Sequence, residues 1–102
     1  MMKHQEMIDD IAARCQSAGY QTLTNFEYKT RKLHGEIDVL VIDMPKKLLG
    51  IVEVKTYYKK KNYLKATDQL NRDEKAAKKF LGFKLYDIYK IYYSNTLKCI
   101  ID

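Results

Sequence analysis

The chain has no tryptophan, one proline and four glycines in 102 residues. That scarcity excludes a collagen-like or low-complexity linker composition. Cysteine is scarce too: Cys15 and Cys99 stand far apart, with neither a CxxC spacing nor a histidine cluster. A disulfide-rich scaffold and a zinc ribbon are thereby excluded. Cys15 falls on the apolar face of an expected helix, where a buried free thiol is the natural reading. No apolar run approaches the roughly twenty residues of a membrane-spanning helix, and no secretory leader pattern is present. The expectation is an intracellular protein, cytoplasmic or at the genome, with no membrane partner. Acidic residues are in deficit, 13 against 19 basic, for a formal charge of +6. A basic balance favours a polyanionic partner and carries no information about fold.

What is present reads as a folded unit. Hydrophobic residues make up 46% and charged residues 31% of the chain, and β-branched and aromatic side chains are too frequent for disorder. Residues 1–102 are expected to form one domain. A chain this short buries only a modest part of its surface, so a second copy could supply a stabilising face.

Hydrophobic periodicity places the elements. Residues 3–18 read as a helix, with Ile8, Ile11, Ala12 and Cys15 on one stripe and Gly19 as its stop. Residues 20–28 look extended, and 29–35 form a basic turn. Residues 36–43 and 48–55 are nearly continuous apolar runs, joined by a turn at Met44-Pro45-Lys46-Lys47. Such runs suit strands covered on both faces. A second helix spans 62–81, with Tyr63, Ala66, Leu70, Ala77 and Leu81 as its core stripe and Gly82 as its end. Residues 85–93 read as a strand, and 97–101 as a short final one at an edge. The order α-β-β-β-α-β, with one possible further strand, implies an α/β fold around a central mixed sheet flanked by helices.

The chemistry concentrates in Gly35-Glu36-Ile37-Asp38 and Val52-Glu53-Val54-Lys55. Side chains alternate along a strand, so Glu53 and Lys55 share a face. A hairpin would bring Asp38 alongside them. An E-x-K pair on a strand is often a salt bridge of little consequence. Here, however, the acids and the lysine interrupt strands that are otherwise apolar on both faces, where charge is costly unless paired or liganding. Two carboxylates suit Mg²⁺, which takes oxygen ligands and retains waters. Such an ion activates water and neutralises a scissile phosphate. Lys55 would orient the water or stabilise developing charge, and the Val54 carbonyl could add a ligand.

These residues, with Asn25-Phe26 before them and Thr56 after, resemble the PD-(D/E)XK nuclease superfamily, and in particular small Holliday junction resolvase-like and virus-type replication and repair nucleases. The resemblance covers residues 3–82 and implies a restriction-endonuclease-like core. Asp38 and Glu53 would be metal ligands and Lys55 the catalytic lysine, with Mg²⁺ as cofactor and Mn²⁺ able to substitute. Ile37 stands in place of the proline of the family pattern, a departure that many members tolerate. The family usually adds an acid from the first helix. Asp9 has the better spacing to Gly19, Glu6 is the expected residue type, and the choice between them stays open. Gln69, at the border of the core stripe, corresponds to a glutamine that related nucleases place beside the active centre.

Nucleic acid would lie along a basic stripe. Lys61, Lys65, Arg72, Lys75 and Lys79 fall within an arc of roughly 80° at about 100° per residue. Lys29, Arg31, Lys32 and His34 precede Asp38, and Lys59 and Lys60 follow Lys55. Such cations position a phosphate backbone without reading sequence. Tyr57, Tyr58 and Tyr63 are candidates for stacking on bases, or for packing. The expected function is a Mg²⁺-dependent endonuclease acting on DNA, branched or structured, as a homodimer. The alternatives are a non-catalytic nucleic-acid-binding module of the same fold, or a nuclease acting on RNA or duplex ends.

Overall fold

The computed structural model describes residues 2–95 and 98–101, the last four through their backbone. Met7, Ile8 and Ala12 bury one stripe of α1 (His4–Ser17). The helix ends in a Schellman turn, in which Gly19 N–H bonds the Gln16 carbonyl and Tyr20 N–H bonds that of Cys15, both at 3.0 Å. Gly19 takes φ of 94° there, a left-handed conformation that suits a residue without Cβ.

Five strands follow in one sheet, in the spatial order of the sequence: β1 (Gln21–Lys29), β2 (His34–Asp43), β3 (Leu48–Val54), β4 (Asp87–Tyr93) and β5 (Lys98–Ile101). Neighbours are antiparallel except β3 and β4, which run parallel because α2 (Lys60–Phe80) carries the chain between them. The architecture is α/β with a mixed sheet, in the expected order α-β-β-β-α-β plus one strand. Leu97, read as the start of that strand, lies outside the described residues.

The basic turn is shorter than expected. Thr30 closes it, donating through Oγ1 to the Leu33 carbonyl (3.0 Å) and accepting the Leu33 N–H (2.9 Å). His34 and Gly35 thereby enter the β1–β2 ladder opposite Lys29 and Tyr28. At the other end Leu85 is exposed, and β4 begins only at Asp87.

The core lies on both faces of the sheet. Leu70, Ala76 and Ala77 of α2 pack with Tyr28, Leu40, Leu49 and Ile51, while Met7 and Ile8 of α1 pack with Val39, Val52 and Val54. Alternating β3 residues thus serve opposite clusters, which accounts for its unbroken apolar run. Each such fully buried aliphatic side chain contributes about 1.5–3 kcal/mol.

Candidate active site

The β2–β3 ladder stops at Val39↔Val52, whereas β3 and β4 stay paired as far as Val54↔Tyr93. Beyond Val39 the sheet forks. In place of the next rung, the Asp38 carboxylate accepts the Val54 N–H at 2.8 Å. Strand alternation also breaks here. Ile37 and Leu40 both join the α2-side cluster while Val39 joins the α1-side cluster, although residues three apart on a regular strand face opposite ways. Opposite Asp38, between the rungs at Thr24 and Phe26, Asn25 adopts φ of 50°, a left-handed conformation that asparagine tolerates better than most residues. The paired irregularity turns Asp38 out of the alternating pattern and into the fork.

Glu53 lies on the other arm, with Lys55 Nζ 3.4 Å from its Oε1. Asp38 and Glu53 are only 6% and 7% exposed, and both line one cleft with Lys55, His4, Glu36, Lys65 and Gln69. Burial holds the Asp38 carboxyl above its ordinary range, against the pull of the Val54 N–H, His4 and Lys55. Glu53 is pushed up to about 8, first by burial and then by the Asp38 charge, with Lys55 only partly offsetting them. Three carboxylates, of Glu36, Asp38 and Glu53, thus share the cleft with two lysines, Lys55 and Lys65.

Of the expected residues, Asp38, Glu53, Lys55 and Gln69 come together. Glu6 and Asp9 do not: both are exposed, neither lines the cleft, and Asp9 accepts a hydrogen bond from Gln5. The acid expected from the first helix is thus absent from the cleft, and His4 stands there instead. His4 lies three and four residues before Met7 and Ile8, on the stripe that α1 turns to the sheet, whereas positions 6 and 9 fall off it. His4 Nε2 donates to the Val54 carbonyl (2.9 Å) and sits 3.5 Å from Asp38 Oδ2. The Val54 oxygen proposed as a ligand therefore already accepts one hydrogen bond and keeps one lone pair. Asn95 bonds the carbonyls of both Met2 (3.2 Å) and Thr56 (3.0 Å), tying the start of the chain to the segment after Lys55.

A second group adjoins the cleft from α2. Asp73, with no exposure, accepts the Tyr28 hydroxyl (2.6 Å) and Gln69 Nε2 (2.8 Å) on Oδ1, and among the described residues its buried Oδ2 finds no hydrogen-bond partner. Burial raises Asp73 to about 6, against the pull of its two hydrogen bonds and Arg72. Burial and the bond to Asp73 push the Tyr28 phenol well above its usual range. Gln69 Oε1 accepts Arg72 Nη1 at 3.0 Å. His4, Tyr28 and Asp73 were missed by sequence reasoning. For Asp73 a signal existed: positions 66, 70, 73 and 77 form one helical stripe, and an acid inside it is anomalous.

The basic residues flank the cleft. Lys65 lines it, while Lys59, Lys60, Lys61, Arg72, Lys75 and Lys79 are exposed along α2 and just before it. Lys29 and His34 line a neighbouring depression that shares Glu36 with the cleft, and Arg31 and Lys32 are exposed in the turn. Tyr58, 44% exposed, meets Tyr63 and buried Tyr92 edge-on at 6.0 and 6.3 Å. Cys15 is half-buried rather than buried and lines an apolar groove with Ile11, Tyr20, Tyr89, Ile91 and Tyr93. Among the described residues, no helix is long and apolar enough to cross a membrane.

No family model matches the chain, and no curated protein matches it. Among solved structures it is similar to the crystal structure of AF1548, a protein of unknown function, with 18% sequence identity and a TM-score of 0.60 over 91% of this chain and 50% of that one. The chain spans about half the length of that neighbour. At this identity the likeness concerns the fold.

Proposed function

We propose that the chain is a metal-dependent nuclease of the PD-(D/E)XK type, hydrolysing phosphodiester bonds of DNA, with a branched or structured DNA as its first-choice substrate. The observation that carries this reading is the convergence of Asp38, Glu53 and Lys55 at the fork between β2 and β3. Burying two carboxylates side by side is costly unless cations share the site, and the chain itself brings Lys55 and Lys65 to the cleft.

The donor set fits Mg²⁺, with Mn²⁺ as a substitute. Magnesium is commonly held by one or two carboxylates, with waters and substrate phosphate completing its shell. Asp38 and Glu53 would hold it, with the remaining Val54 carbonyl lone pair as a further donor. When bound, such an ion lowers the pKa of a water and neutralises phosphate charge. The residues of the chain do the rest. Asp38 is fixed by the Val54 N–H, and Lys55 offers a cation to the phosphate oxygens or to the attacking water. Hydrolysis joins the water oxygen to phosphorus and breaks a P–O ester bond, the leaving oxygen acquiring a proton. Exposed lysines on both sides would seat the flanking backbone. A homodimer belongs to the same reading, with the tyrosine-bearing face of β4 as the candidate contact.

The test is cleavage of labelled four-way junction, flap, duplex and single-stranded DNA with Mg²⁺, beside Asp38→Asn and Glu53→Gln. Cutting should require the metal and fall by at least about a hundredfold in each variant, the scale of losing one electrostatic group at a reacting phosphate. Binding without cutting in Mg²⁺ or Mn²⁺ would instead assign a non-catalytic binding module.

A further inference from the structure

We infer that Asp73 is a positioning residue: it fixes the Gln69 amide, which in turn holds the Arg72 guanidinium beside the cleft as a docking point for a backbone phosphate next to the scissile one. The inference rests on the nucleic-acid reading above.

The hydrogen-bond directions leave little freedom. An ionised carboxylate can only accept, so the Gln69 nitrogen must face Asp73, as it does at 2.8 Å. The Gln69 oxygen is thereby turned outward, where it accepts Arg72 Nη1 at 3.0 Å. Asp73 is itself immobilised, being fully buried and held by the Tyr28 hydroxyl at 2.6 Å. Strand β2 makes room for this arrangement at Gly35. A Cβ there would lie 2.7 Å from Gln69 Nε2 and 2.8 Å from the Tyr28 hydroxyl.

At its outer end the chain of bonds reaches the exposed Arg72. A guanidinium presents a planar fork of five N–H donors that matches phosphate, and one bond to Gln69 leaves most of them available. An unrestrained arginine loses rotamer freedom when it docks. One already held against a cleft-lining side chain loses less, which favours binding.

The experiment measures affinity for a labelled four-way junction in EDTA, so that cutting does not intervene, across a salt series. Losing one phosphate contact lowers the slope of log K against log[salt] by about 0.9. Arg72→Ala should show that loss. Asp73→Leu should show the same loss with Arg72 intact, and the double variant should lose no more than either single one. Asp73→Asn, which keeps an acceptor for Gln69 and Tyr28, should restore the original slope, and a slope that stays as low as that of Asp73→Leu overturns the inference. Gly35→Ala, which displaces Gln69 directly, is the second route should Asp73→Leu not fold, and it too should lower the slope. The inference is overturned if Arg72→Ala leaves the slope unchanged. It is equally overturned if Asp73→Leu and Gly35→Ala keep the original slope while Arg72→Ala lowers it, or if the two losses add. Absence of salt-dependent binding by the unmodified protein overturns the nucleic-acid reading itself, and this inference with it.

Discussion

At the scale of single residues, the cost of the site is visible in its buried acids. Asp73 sits on a helical stripe between Leu70 and Ala77, both fully buried, and its carboxyl rises from 3.8 to about 6, chiefly through burial. A group whose folded pKa is raised binds its proton more tightly in the folded state than in the unfolded one. The folded chain therefore holds more protons between about pH 4 and 6. Asp73's contribution to stability is most favourable below that window and declines as pH rises through it. At about 1.4 kcal/mol per pKa unit the change is on the order of 3 kcal/mol, an upper figure because buried sites relax. Asp73→Asn removes the titration and keeps an oxygen for Tyr28 and Gln69. In urea melts from pH 4 to 7, the variant should gain stability relative to the unmodified protein as pH rises. A constant difference across that range would refute the assignment.

At the scale of elements, α2 spans the sheet as the crossover between parallel β3 and β4, and its attachment depends on a narrow stripe. Leu70 is fully buried while Leu64, on the same helix, is 55% exposed. Leu70→Ala should cost about 2–5 kcal/mol through lost burial and a residual cavity, whereas Leu64→Ala should stay within about 0.5 kcal/mol. Chemical denaturation of the two variants measures the contrast, and equal losses would misplace the stripe. The elements themselves were legible because their apolar spacings are long and regular: 3–18 became His4–Ser17, and 36–43 became His34–Asp43 with two residues added by the turn at Thr30. Asp38, Glu53 and Lys55 were legible for the opposite reason, as charges interrupting apolar runs. The fork was not. It depends on where one ladder ends and on the irregularity at Asn25 and Asp38, which no strand periodicity encodes. His4 lies on the stripe that faces the sheet, but as the first residue of α1 it interrupts no apolar run and so carries no such signal. Asp73 lies on the buried stripe of α2, where apolar spacing alone does not point to an acid.

At the scale of the whole molecule, an excess charge of +6 is unevenly distributed. Asp38 and Glu53 are buried, so their charge is least available to solvent, while the exposed cations of α2 project outward. Lys75 and Lys79 are exposed one helical turn apart, and among the described residues neither makes an ion pair. Like charges at this spacing weakly oppose helix formation, so the pair is not there for stability. Replacing both by glutamine should leave stability within about 0.5 kcal/mol of the original. If both lysines meet the phosphate backbone, the slope of log K against log[salt] for junction DNA should fall by about 1.8. The loss should be similar for junctions of different sequence, since phosphate contacts position a duplex without reading its bases. An unchanged slope would make this end of α2 a solvated face and confine the interface to Lys65, Arg72 and the loops around the fork.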